Sequence, residues 1–232
     1  MAKVKTMGHI ITDLKEKLNR KNFANCTKDE DYQRAFENIA NILLNKIAIK
    51  KGDKEYWINE VEFYLYNNNH RDIITYPRVC EAGQWLFHSS GVDISFESYV
   101  KTEQDEQGLF QPVLDEDAFF GGILIRSIYP TNSSSEVSKK LKLDGPYKVE
   151  WTLFDKFDAF NDIKNFPYLI SRKEIKNGLN INQRRNLLTK GKSEEQKVHD
   201  ILKYNYYKSE IPDYELVESF KSYSKAKYRF NV

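Results

Sequence analysis

The feature that most constrains the fold is an alternation of apolar and polar residues in the stretch WINEVEFYL, residues 57–65. Successive side chains of a β-strand point to opposite faces, so this pattern predicts one half-buried strand. Its core-facing side is predicted to comprise Trp57, Val61, Phe63 and Leu65. Its other side carries Glu60, Glu62 and Tyr64. The ordinary interpretation of such carboxylates is a solvated outer face, and the alternative is a site.

The segments after this strand favour a site. The chain runs through a polar loop, NNNHRD at 67–72, to a second aromatic strand, QWLFH at 84–88, which ends in a turn at 89–91. Further on, Arg126 interrupts the apolar run ILIRSI, residues 123–128. An unpaired buried charge is very unfavourable, so we expect Arg126 to reach either the Glu62 region or a DNA phosphate.

Helical and strand periodicities occur together along the chain. An apolar stripe at helical spacing is formed by Tyr32, Phe36, Ile39 and Leu43. A hairpin is predicted where residues 47–49 turn through 51–54 into the alternating strand. We therefore predict a mixed α/β (α+β) fold, a single compact domain over residues 1–232. It has a central curved mixed or antiparallel sheet, peripheral helices, and helical additions at both ends.

Composition limits the partners and the compartment. The 232 residues carry a net charge of +2, which permits a nucleic-acid partner without requiring one. Cys26 and Cys80 have neither metal nor disulfide spacing, and the N-terminus has no leader or membrane span. We predict a cytoplasmic protein with no membrane partner.

A basic segment is the best candidate for a phosphate-contacting surface, with a solvated loop as the alternative. Residues 172–192 contain seven basic residues and a single acid, Glu174. The predicted DNA-contacting residues in this segment are Arg172, Lys173, Lys176, Arg184 and Arg185.

The common catalytic signatures are missing: there is no phosphate-binding glycine loop, dinucleotide fingerprint, HExxH motif or nucleophile elbow. A metal held by His70, Asp72, His88 and Asp93 is an alternative, but we predict no metal and no cofactor. What remains is a site centred on Glu62. Neighbouring Glu60 and burial both raise the pKa of such a carboxylate, which suits it to act as a general base.

The order of seven motifs carries a resemblance to a known family. LLNKIAIK, NEVEFYL, HRDIITYPR, GQWLF, SSG, ILIRSIYP and DGP follow one another within roughly residues 35–190. This order resembles the methylpurine (3-methyladenine) DNA glycosylases. The resemblance implies a compact mixed α/β fold and a base-excision-repair hydrolase. Such an enzyme removes alkylated or deaminated purines after flipping the nucleotide out of the DNA.

The resemblance also implies roles for individual residues. Glu62 matches the acid that activates water, and Tyr64 matches the tyrosine that stacks on the flipped base. His70 corresponds to a stacking histidine ahead of a T-x-R-like motif that ends at Arg78, and Arg78 is predicted to contact DNA. The second stacking position falls on Phe87 or His88. Arg126 matches a strand arginine of the family.

Two departures separate this chain from the family pattern. The tyrosine wedge that fills the gap left by the flipped nucleotide falls on Ser90, with Tyr76 or Tyr99 as possible replacements. The asparagine that screens bases falls near Glu97. We therefore predict a monomer acting on DNA with a damaged or loosely stacked purine, or on a nucleoside-like small molecule. The alternatives are a non-catalytic binding module and a hydrolase of small N-glycosides.

Overall fold

The computed structural model shows a mixed α/β fold, in which helices pack around an open antiparallel sheet. It describes residues 2–131, 143–155, 163–173, 178–185, 191–205, 207–209 and 211–232. The α-helices in these ranges are α1 Ala2–Lys17, α2 Asp29–Lys46, α3 Pro146–Leu153, α4 Glu194–Asn205 and α5 Asp213–Ser224. Short 3-10 helices span Arg20–Phe23 and Ile163–Asn165. None of the helices described is both long and apolar enough to cross a membrane.

Within the described ranges, ten strands join in the main sheet, whose central path runs β10-β1-β2-β8-β5-β4. The first five strands are β1 Ile47–Lys51, β2 Lys54–Asn67, β3 His70–Arg71, β4 Trp85–His88 and β5 Gly91–Ser95. A separate hairpin consists of β6 Lys101–Gln104 and β7 Phe110–Val113. The remaining strands are β8 Phe120–Pro130, β9 Leu143–Asp144, β10 Tyr168–Ser171, β11 Asn180–Asn182 and β12 Arg229–Asn231.

Strand β2 is the centre of the sheet. It pairs with β8 along most of its 14 residues, and its other edge is shared by β1, β12 and β3. The partners of Glu60–Glu62 on that edge are the residues of β12, near the C-terminal end of the chain. The C-terminal region therefore contributes a strand directly beside the predicted site.

A β-bulge changes the predicted faces of β2. The register with β8 shifts between Ile58 and Val61. Ile58 belongs to the same buried cluster as Val61, whereas Trp57 is partly exposed and lies beneath the Arg172 guanidinium. The prediction that Trp57 shares a face with Val61 is wrong, because the bulge adds a residue and inverts the alternation on one side of it.

The main core lies between α1, α2 and the sheet. The predicted helical stripe is confirmed, since Tyr32, Phe36, Ile39 and Leu43 are at most 2% exposed. Phe36 packs on the Phe63 ring at 4.8 Å, which joins α2 to β2. The predicted hairpin is also present, with Gly52 in its turn at a φ of +55°. A second buried cluster lies beneath α4 and α5 around Phe120 and Phe220.

Gly121 and Gly122 let β8 approach β2 and the ion pairs beside it. A Cβ atom at Gly121 would lie 2.4 Å from the backbone oxygen of Tyr64. A Cβ atom at Gly122 would lie 2.4 Å from Nη1 of Arg78. The local packing therefore requires glycine at both positions.

We predict that Gly121→Ala destabilises the protein, because the added methyl group meets backbone atoms that cannot move aside cheaply. Overpacking of this kind lowers the free energy of unfolding by about 1–3 kcal/mol. The matched control is Gly178→Ala, where no described atom lies within 4 Å of the added Cβ. Denaturant unfolding measures both variants, and equal stability of the two would contradict the packing described here.

Candidate functional site

A cavity of about 100 Å³ opens where the C-terminal half of β2, β8 and the β4–β5 turn meet the segment after β11. Its lining includes six residues that the sequence predicted for a site: Tyr64, Arg78, His88, Ser90, Arg184 and Arg185. The lining also contains Ile74, Tyr76, Asp93, Leu124 and Ser224. The structure therefore brings together residues from six separate parts of the chain.

The Glu62 carboxylate lies beside this cavity without lining it. Its side chain is 0% exposed, and Nη1 of Arg126 donates a hydrogen bond to Oε2 at 2.7 Å. The backbone N–H of Arg185 donates to Oε1 at 2.9 Å. The cross-strand partner of Glu62 is Leu124, and the next residue on its face is Tyr64; both line the cavity. The expected approach of Arg126 to Glu62 is present.

Burial raises the pKa of Glu62 above its ordinary value. Arg126 and Arg184 oppose this shift by their positive charge, and the Arg185 N–H opposes it by its hydrogen bond, but the direction remains upward. A carboxylate with a raised pKa is a stronger base than an exposed one. The environment of Glu62 therefore suits proton abstraction from water.

The second carboxylate, Glu60, contacts three arginines at once. It is 2% exposed, and its Oε1 accepts a hydrogen bond from Nη1 of Arg229 at 3.0 Å. The same oxygen lies 3.4 Å from Nε of Arg126 and 3.6 Å from Nη2 of Arg185. Glu60 thus holds in place the arginine that contacts Glu62. Arg229 was absent from the predicted site, because its pairing partner lies 169 residues earlier in the chain.

Arg184 is a buried structural cation. Its guanidinium forms an ion pair with Asp72, donates to the Phe63 carbonyl at 2.8 Å, and stacks 4.3 Å from the Tyr64 ring centre. The prediction that Arg184 contacts DNA phosphates is wrong, because its side chain is enclosed and its charge is compensated by Asp72. Its position beneath Tyr64 instead fixes one wall of the cavity.

His88, Asp93 and Arg78 form a buried cluster on the opposite side. His88 Nε2 lies 2.9 Å from Asp93 Oδ1, and Arg78 Nη2 lies 2.8 Å from Asp93 Oδ2. The backbone N–H of Ser90 donates to His88 Nδ1 at 3.1 Å, so Nε2 carries the ring proton and donates to Asp93. Arg78 is paired inside the protein, which corrects its prediction as a DNA-surface residue.

Charge and burial act in opposite directions on Asp93. Burial raises the pKa of its carboxyl, but Arg78 and His88 together lower that pKa by a larger amount. The pKa of Asp93 therefore lies below its ordinary value. Because both ring nitrogens of His88 are engaged, this ring can offer a ligand its face but not a proton. The Tyr76 ring lies 4.4 Å from it, so the two form an aromatic wall.

His70 is enclosed in the core. Nδ1 donates to the Leu65 carbonyl at 2.7 Å, and the Tyr228 hydroxyl lies 3.1 Å from Nε2. The ring packs 4.4 Å from Tyr32 and 4.2 Å from Tyr223. His70 is 0% exposed and outside the cavity lining. The prediction that it stacks on a base beside Tyr64 is therefore wrong for this structure, because aromatic side chains already occupy its surroundings.

The β4–β5 turn carries Ser90 at the cavity. The Tyr76 hydroxyl lies 3.1 Å from the Ser90 hydroxyl, so a tyrosine ring does stand next to the serine. Tyr99, the other suggested wedge, is 47% exposed and does not line the cavity. Phe87 also lies outside the lining and packs on Phe154 at 4.6 Å. Of the two predicted stacking positions, the cavity therefore contains His88.

Arg172, Lys173 and Glu97, which were also predicted near the site, do not line the cavity. Arg172 pairs with Glu55, and Lys173 is exposed. Lys176 lies outside the described residues. Glu97 accepts a hydrogen bond from the backbone of Arg20 at 3.1 Å. Within the described ranges, no three His, Cys, Asp or Glu side chains are grouped as metal ligands.

Comparisons with known proteins identify no family. No protein-family model and no solved structure matches the chain. The chain is similar to an uncharacterized protein of Acanthamoeba polyphaga mimivirus, with 27% identity over 172 residues. These residues are 64% of this chain and 74% of the viral protein. The glycosylase resemblance accordingly stays a prediction.

We predict that His70 makes the stability depend on pH. Burial lowers the pKa of His70 to about 4, below the ordinary 6.5. The imidazole of His70 therefore binds a proton more tightly in the unfolded chain than in the folded one. The contribution of neutral His70 to the free energy of unfolding is complete above about pH 6.5 and is lost as the pH falls towards 4. The loss is at most about 1.4 kcal/mol per pH unit.

The measurement is the free energy of unfolding of wild type and His70→Gln between pH 7 and pH 5. The variant should show a shallower decline, because it has no imidazole to protonate. His199→Gln, at an exposed position, serves as the control and should follow wild type. An identical slope for His70→Gln and wild type would argue against a neutral, buried His70.

Proposed function

We propose that the protein hydrolyses the N-glycosidic bond of a damaged purine, alkylated or deaminated, in the manner of a DNA glycosylase. One observation carries the proposal. A buried carboxylate with a raised pKa, Glu62, is fixed by Arg126 one side-chain step from Tyr64, whose ring walls the cavity. The proposed substrate is DNA with a loosely stacked purine, bound by a monomer.

The chemistry of an N-glycoside suits this arrangement. As the base departs, the sugar develops oxocarbenium character, and a fixed carboxylate stabilises the positive charge and orients the attacking water. Tyr64 on one side and the Tyr76–His88 pair on another provide aromatic surfaces for a purine. Base–aromatic stacking contributes about 1–3 kcal/mol per base. Neither step calls for a metal or cofactor.

Access to Glu62 requires a side chain to move. Glu62 is fully buried and outside the cavity lining, whereas its neighbours Tyr64 and Arg185 both line the cavity. Arg185 is the more exposed of these two residues, which makes its side chain the easier one to displace. In this proposal, ligand binding shifts Arg185 and admits the base and one water molecule.

The first test is base release. Glu62→Gln should slow release of hypoxanthine from an oligonucleotide with one deoxyinosine by at least about a hundredfold, the usual scale for a lost general base. Glu55→Gln is the matched control, because Glu55 is on the same strand but pairs with Arg172. Excised base is quantified by chromatography. Wild-type rates in Glu62→Gln would remove Glu62 from the reaction.

The same site also supports a second candidate function, binding without hydrolysis. Both carboxylate oxygens of Glu62 already have partners, Arg126 and the Arg185 N–H, and its side chain has no exposure. A carboxylate in that state can serve as a structural counter-charge beneath the cavity. The protein would then bind a nucleobase through the aromatic walls and release it unchanged.

Binding and hydrolysis both depend on Tyr64, so its loss is a second test. Tyr64→Leu should weaken binding of a deoxyinosine oligonucleotide about tenfold or more, since stacking contributes about 1–3 kcal/mol. Tyr64→Phe keeps the ring and should bind like wild type. Tyr214→Leu, at a site 69% exposed on α5, is the control. Fluorescence anisotropy gives the affinities, and equal affinity of Tyr64→Leu and wild type would exclude stacking on this ring.

A further inference from the structure

The ion pairs beside the cavity leave one positive charge without its own carboxylate. Two buried carboxylates, Glu60 and Glu62, face the guanidinium groups of Arg126, Arg185 and Arg229. Glu62 pairs with Arg126, and a single oxygen of Glu60 is shared by all three arginines. Among the described residues, this cluster therefore has one guanidinium group more than it has carboxylates.

That excess lies at Arg185. Its contact with Glu60, at 3.6 Å, is longer than the 3.0 Å contact of Arg229. The Arg185 side chain is 46% exposed, whereas those of Arg229 and Arg126 are 20% and 4% exposed. A dissolved anion can reach a guanidinium group that is exposed to water, whereas the side chains of Arg126 and Arg229 are largely enclosed and lie closer to their carboxylates. Arg185 is thus the member of the cluster that is available to a ligand.

The other arginines of the cavity do not compete for an anion. Arg78 is paired with Asp93, and Arg184 is paired with Asp72, with each of these four side chains at most 2% exposed. Among the described residues that line the cavity, Arg185 is therefore the cation without a carboxylate of its own.

We propose that Arg185 binds a phosphate group, so that the cavity takes a nucleotide unit in preference to a free nucleoside. This inference rests on the proposed function. A guanidinium group matches phosphate in charge and in fork geometry. The hydroxyls of Tyr76 and Ser90 line the same cavity and offer further donors. The phosphate is either the monoester of a free nucleotide or a diester of a nucleic acid.

Isothermal titration calorimetry at one fixed ionic strength tests the inference with three probes. These are 2′-deoxyinosine, its 5′-monophosphate, and a single-stranded oligonucleotide with one central deoxyinosine. Wild type should bind the monophosphate or the oligonucleotide at least about tenfold more tightly than the nucleoside, the scale of one charge-assisted contact. Preference for the monophosphate identifies a free nucleotide, and preference for the oligonucleotide identifies a nucleic acid.

Variants assign the preference to Arg185. Arg185→Gln should reduce the affinity ratio of the preferred probe to the nucleoside to within about twofold, and Arg185→Lys should keep most of it. The backbone N–H to Glu62 is retained in both. Lys54→Gln, at the exposed first residue of β2, removes one charge far from the cavity and should leave the ratio at its wild-type value.

Each negative result has a distinct meaning. Equal affinity of wild type for all three probes would overturn the inference and leave the proposed function standing. A ratio unchanged in Arg185→Gln would also overturn it, because the phosphate would then be bound elsewhere. If wild type binds none of the probes and releases no base, both the inference and the proposed function are wrong.

Discussion

The pairing of buried carboxylates with buried guanidinium groups around β2 is the interaction on which the rest of the structure depends. Glu62 with Arg126, Asp72 with Arg184, and Asp93 with Arg78 are three such pairs around one small cavity. Removal of one partner from a buried pair typically destabilises a protein by about 3–5 kcal/mol, since the other charge stays uncompensated. Each pair joins a residue of the site to another segment of the chain. The cavity and the stability of the sheet therefore share the same residues.

The local sequence pattern was sufficient to predict helix α2 and the β1–β2 hairpin. It was insufficient to predict which side chains of β2 face the core. The α2 stripe and the β1–β2 hairpin follow from periodicity and a glycine turn, which depend on neighbouring residues alone. The face of Trp57 depends on a bulge that arises from pairing with β8, and no residue near Trp57 signals it. Specific fold similarity to the glycosylases stays a prediction, whereas the mixed α/β class with an antiparallel sheet is confirmed.

In the candidate site, too, some features could be predicted from local sequence and others could not. The approach of Arg126 to Glu62 could be predicted, because an arginine inside an apolar strand must find a counter-charge. The burial of Arg184 could not, because its basic neighbours indicated a surface and its partner Asp72 lies 112 residues away. His70 was predicted to belong to the site, but the structure places it in the core. A histidine in a polar loop suggested a site, but the ring fills a hole among core aromatics, where its neutral form is favoured.

The position of β12 beside Glu60–Glu62 has a consequence for how the protein is made. Its residues Arg229–Asn231 complete the edge of the strand that carries both carboxylates, although Arg229 follows Glu60 by 169 residues. A nascent chain that ends before Arg229 leaves Glu60 short of a partner and that edge of β2 unpaired. That edge of β2 can therefore pair only after synthesis of the chain has passed residue 231, long after the rest of β2 and β8 has been made. Contacts this distant in sequence also form slowly during folding.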